Sequence, residues 1–140
     1  FLVIKIFLGI GDQVKTKLFF EELQNEINRI HTSDGGEDGQ EVLFDVKGSK
    51  LSHICFFNKT RGQSGPYRDI YQEISKAATS ENNIYFYPKK YASQSSAKVE
   101  NVNMIKLKNN PYCIEREGDK IKIILSKDLR EVLVSVSGGD

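Results

Sequence analysis

The apolar positions of this chain fall into short runs with two different periods. In residues 1–10, FLVIKIFLGI, they are nearly continuous and often β-branched. That predicts a strand covered on both faces, central in its sheet. Val14, Leu18, Leu23, Ile27 and Ile30 then recur at helical steps, with Lys15, Lys17, Glu21, Glu22, Gln24 and Glu26 mainly on the other side. Asp12 stands where an N-cap is expected, so an amphipathic helix lying on a sheet follows. Residues 31–40, HTSDGGEDGQ, carry no large apolar side chain and read as a loop.

From residue 41 the period is two. Residues 41–47 and 51–58 read as a hairpin across Gly48-Ser49. KTRGQSG at 59–65 is a basic loop, and Pro66 suits the first turn of a second helix striped by Ile70, Tyr71, Ile74 and Ala78. A strand at 84–88, a polar loop at 89–97 and a strand at 99–107 follow. Asn109-Asn110-Pro111 is a turn. Residues 112–116 and 120–125 then pair across Glu117-Gly118-Asp119, and a strand at 131–136 closes the order. Because the second half has no helices, a doubly wound parallel sheet does not fit. The expected class is α+β: a strand-rich mixed or antiparallel sheet with two helices, a partly closed barrel being one form such a sheet takes.

At 140 residues the chain is expected to be one domain, residues 1–140. Its formal charge of +1 excludes a whole-molecule electrostatic case for nucleic acid, so any such case rests on a local patch. Cys55 and Cys113 both sit in apolar runs and are expected as buried thiols, a single disulfide being the alternative. His31 and His53 lack partners at ligand spacing for zinc. The apolar start is too short to span a bilayer. The default expectation is a cytoplasmic protein with no membrane partner.

One local patch stands out. Residues 47–76 hold six Lys/Arg against Asp69 and Glu73. Arg and Gln can make paired hydrogen bonds to base edges, and glycines let a loop approach phosphates. The leading expectation is therefore a nucleic-acid-binding domain, for DNA first, that needs no cofactor. It would use Lys59, Arg61, Gln63 and Arg68, with Lys47 and Lys50 nearby. Lys89 and Lys90 would supply a second arm with Lys98, and Tyr91 an aromatic surface.

Asp45-Val46-Lys47 opens a second possibility. On a strand, residues two apart share a face. A D-x-K strand after an upstream acid resembles the motif of the PD-(D/E)XK nuclease superfamily. The resemblance implies an Mg²⁺-dependent nuclease with Asp34 or Asp38, Asp45 and Lys47 as catalytic residues and Asp45 on the metal. The segment around FFNKTRG at 56–62 also resembles the DNA-recognition β-barrels attached to some restriction endonucleases, without residue roles to carry over. A third reading is a protein–protein module that uses an exposed strand edge.

Overall fold

In the computed structural model, which describes residues 3–7, 16–33, 37–77 and 81–138, the strands form two four-stranded sheets. The first has the order β1 (Val3–Phe7), β2 (Glu37–Asp45), β7 (Lys120–Lys127), β8 (Ser135–Ser137). The second has β5 (Ser96–Ala97), β4 (Ile84–Tyr87), β3 (His53–Phe56), β6 (Tyr112–Glu115). β1 runs parallel to β2, and every other pair is antiparallel. With α1 (Lys17–His31) and α2 (Arg68–Ala77) this is an α+β fold. α1 is part of the crossover that a parallel β1–β2 pair requires.

Strand alternation builds the layers. In β7, Ile121, Ile123 and Leu125 are fully buried while Lys120, Lys122 and Ile124 between them are not. Their partners Phe44, Val42 and Gln40 on β2 face the same interior. The second sheet turns Ile54, Phe56, Ile84 and Phe86 toward it. Phe44 and Phe86 meet across the gap with ring centres 5.1 Å apart, and Phe19 of α1 wedges beside both, at 4.3 and 5.4 Å. The outer face of the second sheet carries a smaller core. There Cys55, Phe57 and Cys113 lie under Ile70 and Ile74 of α2, with Tyr67, Tyr71, Tyr85 and Tyr87 packed around them.

Several expectations are corrected. The first strand, expected to be central, stands at the end of the described order. The α1 stripe is Phe19, Leu23, Ile27 and Ile30, and Leu18 is 55% exposed. Asp12 and Val14 lie outside the described residues, and Thr16 occupies the N-cap position. Buried Thr16 fastens that end to the 92–95 segment: its hydroxyl donates to the Gln94 carbonyl and accepts from Gln94 N–H at 3.0 Å. Of the expected loop 31–40, residues from Glu37 onward belong to β2. Residues 99–107 form no strand, only a bridge from Val102 to Val134, and Ile105 points outward.

Both expected hairpins keep their turns and lose their pairing. Gly48 has φ +79°, and Ser49 N–H reaches the Val46 carbonyl at 3.0 Å. Glu117 and Lys120 exchange backbone hydrogen bonds of 2.7 and 3.1 Å. Yet β2 and β3 enter different sheets, as do β6 and β7. The core explains this: Phe44 and Ile54 must face each other's sheets across one interior, so the chain changes sheet between them. Arg116 ties the two crossings together. Its guanidinium donates to the carbonyls of Gly118 (2.8 Å), Ser49 (2.8 Å), Leu51 (3.0 Å) and Val46 (3.4 Å).

The cysteines are paired. Cys55 and Cys113 stand opposite in the β3–β6 register and form a disulfide, Cα atoms 4.0 Å apart. Disulfides persist in oxidising compartments and are rare in the cytosol, so this feature gives the cytoplasmic expectation no support. Among the described residues, no helix is long and apolar enough to cross a membrane.

Candidate nucleic-acid interface

The basic loop after β3 is built around a residue that looked like part of a turn. Asn110 is fully buried. Its Nδ2 donates to the carbonyls of Asn58 (2.9 Å), Arg61 (2.8 Å) and Gly62 (3.3 Å), and its Oδ1 accepts from Asn58 N–H at 2.8 Å. Its backbone exchanges hydrogen bonds with Ser64, 2.9 and 3.2 Å long. Gly65 has φ +87°, and a Cβ there would lie 2.5 Å from Asn109 Cγ, so only glycine fits.

This order spends part of the loop's polar chemistry on the protein itself. Arg61 donates to the Leu107 carbonyl at 2.6 Å, and Gln63 donates to the Gly65 carbonyl at 2.8 Å. Lys59 remains exposed. Lys98 hydrogen-bonds Glu81 at 3.2 Å, which holds the Glu81 carboxyl below its ordinary value.

The Lys89–Lys90 arm lies at the other end of β3. His53 pairs with Tyr87 and Phe56 with Ile84. The arm therefore follows the His53 end, whereas Lys59 follows the Phe56 end, with a four-residue strand of roughly 13 Å between them. The arm is a single 3-10 turn, Lys89–Tyr91, with both lysines exposed. Lys90 Nζ lies 5.1 Å from the centre of the Tyr91 ring, and Lys50 Nζ lies 5.9 Å from it. Arg68 opens α2 and is exposed, next to Tyr67, whose ring meets that of His53 at 5.2 Å. The sequence-expected residues thus divide, with Lys89 and Lys90 at one end of β3 and Lys59, Arg61 and Gln63 at the other.

His53 sits at the hinge of this surface. Its Nδ1 is 2.7 Å from the Ser52 hydroxyl, and its ring meets Tyr67 and Tyr87 edge-on. Burial pushes its pKa below the ordinary value of 6.5, against an opposing pull from Glu115.

The D-x-K residues are arranged differently from expectation. β2 ends at Asp45, so Lys47 leaves the strand for the turn and does not share its face. Asp45 is buried, and its Oδ1 accepts from Lys47 N–H at 2.9 Å. Asp38 lies on the same strand seven residues earlier, on the order of 20 Å away. Asp34 lies outside the described residues. Among the described residues no group of three His, Cys, Asp or Glu is placed to hold a metal ion.

Asn110, Arg116 and Thr16 were missed as organisers of these surfaces. An Asn beside a proline signals a turn, and nothing local in the sequence says that its carboxamide is buried. No family model, curated protein or solved structure matches the chain.

Proposed function

We propose that this chain binds nucleic acid through the His53 end of β3. The observation that carries the reading is the convergence of Lys50 and Lys90 on the ring of Tyr91. Two cations gathered beside one ring make a local positive site that attracts a backbone phosphate. The Tyr91 ring beside them adds an aromatic surface for a base. Lys89, in the same turn, extends the positive surface, while the formal charge of +1 keeps the attraction local. Lys59, at the far end, serves as a second and weaker contact.

Fluorescence anisotropy with labelled DNA and RNA tests this. Affinity should fall steeply between roughly 50 and 200 mM salt. Alanine at both Lys50 and Lys90 should flatten the salt slope by about 2. No binding to any DNA or RNA at low salt ends the proposal.

A second reading, a homotypic strand-edge module, has one observation in its favour. Among the described residues β6 is paired on one side only, by β3, and it borders a groove of about 640 Å³ with Tyr67, Tyr112, Ile124 and Ser137. An exposed edge can add a strand from a second copy. Light scattering that gives the mass of a single chain at high concentration removes this reading.

A further inference from the structure

We infer that the cavity between α2 and β4 receives one unstacked nucleobase, so the preferred ligand is single-stranded or frayed nucleic acid and not closed duplex. The inference rests on the nucleic-acid reading above and narrows its ligand. The cavity measures about 240 Å³. That is below the roughly 300–1,000 Å³ of sites for drug-sized ligands, so it suits one ring system.

Its walls follow from the sequence pattern. Ile70 and Ile74 are four apart on α2 and share a face; Tyr85 and Tyr87 are two apart on β4 and face away from the main core. The Tyr85 hydroxyl is spent on the Asn82 carbonyl at 3.1 Å, which fixes that ring as a wall. Apolar side chains on α2 facing tyrosines on β4 form a slot for a flat, polarisable ring.

The rim is polar and has a direction. Glu73 from α2, Lys89, Ser95 and Ser96 supply its polar lining, and Glu73 and Lys89 are exposed. A carboxylate only accepts hydrogen bonds. It therefore favours a base with adjacent N–H donors on its Watson–Crick edge, and guanine, with two, matches best. Lys89 is also the residue next to Lys90, which faces Tyr91. A backbone phosphate attracted by Lys90 would thus be bound next in the chain to a residue that lines the cavity. Inside a duplex a base edge is engaged and stacked, and freeing it is unfavourable; an unpaired strand avoids that cost.

The test uses the full chain and four probes: an oligonucleotide with one guanine in a thymine run, the same run without guanine, a hairpin duplex closed by a tight loop, and guanosine monophosphate. The single strand with guanine should bind at least about 10-fold tighter than the closed duplex and several-fold tighter than the thymine run. Guanosine monophosphate should shift the amide resonances of Ile70, Ile74, Ser95 and Ser96. Glu73 is exposed, so Glu73→Gln and Glu73→Trp should both fold. The first should erase the guanine preference; the second should block the cavity and erase the single-strand preference, with salt-dependent binding retained. Equal affinity for closed duplex and single strand, or a preference that survives Glu73→Trp, overturns the cavity inference and leaves the Lys50–Lys90 surface standing. Absence of binding to every probe overturns both.

Discussion

The carboxamide of Asn110 pairs with both backbone groups of Asn58, donating to its carbonyl at 2.9 Å and accepting from its N–H at 2.8 Å. A side chain here does what a neighbouring strand does elsewhere. It extends the order of β3 into the loop that follows, where Ser64 bridges to Asn110. Asn110→Ala would leave three carbonyls and one N–H without that partner in a buried site. A loss of about 3 kcal/mol is expected. Urea unfolding measures it, and the amides of residues 58–64 should lose hydrogen-exchange protection before the rest.

Arg116 makes the corresponding prediction at the other end. Its four carbonyl contacts depend on a planar fork of donors, which lysine lacks. Arg116→Lys keeps the charge and should still cost about 2 kcal/mol by urea unfolding. A stability equal to the unaltered protein would mean that the two crossings hold without the guanidinium.

Class and most elements were legible in the sequence, because strand and helix periods are local. β4 is an example: Ile84 and Phe86 face the main core while Tyr85 and Tyr87 face away, as alternation predicts. What failed was partnership. Gly48 and Gly118 mark turns correctly, yet a turn fixes chain direction and not which sheet the next strand joins. Leu18 and Phe19 show a related limit: either can continue the helical stripe, and only the position of Phe44 and Phe86 selects Phe19. The site was half legible. Lys89, Lys90 and Tyr91 are visible as a basic, aromatic run, but their separation from Lys59 depends on the β3–β4 register.

The disulfide closes a loop of 58 residues in sequence separation. Restricting that loop in the unfolded chain is worth roughly 4 kcal/mol on a chain-entropy estimate. Cys55→Ser with Cys113→Ser should lower stability by that order under oxidising conditions. Adding reductant to the unaltered protein should bring it to the same level, and unfolding curves that ignore reductant would contradict the bond.

His53 should make stability depend on pH. Its folded-state pKa is lowered, so the unfolded chain binds the proton first as pH falls. The contribution is fully present above the unfolded value of about 6.5 and is lost as pH falls through the depressed folded value. Thermal unfolding at about pH 7.5 and about pH 5.5 reads this. His53→Gln should narrow the difference between the two.

At the proposed interface, Tyr91→Ala should weaken single-strand binding by about 1–3 kcal/mol with little change in salt slope. Lys90→Ala should reduce that slope by about 1. Anisotropy titrations across salt separate the two effects, and identical behaviour of both variants would deny the ring a stacking role.

The division of neighbouring strands between sheets has a consequence for how the chain is made. β2 waits for β7, which sets Ile121 against Phe44, and β3 waits for β6, which sets Cys113 against Cys55. A nascent chain that has reached only residue 110 therefore holds one sheet without an inner strand and the other without its bridged edge. Phe44, Phe56 and Phe86 then lack the cover that β6 and β7 supply, which is expected to leave apolar surface open to other chains. Late completion of both sheets is the expectation for a fold dominated by distant pairings.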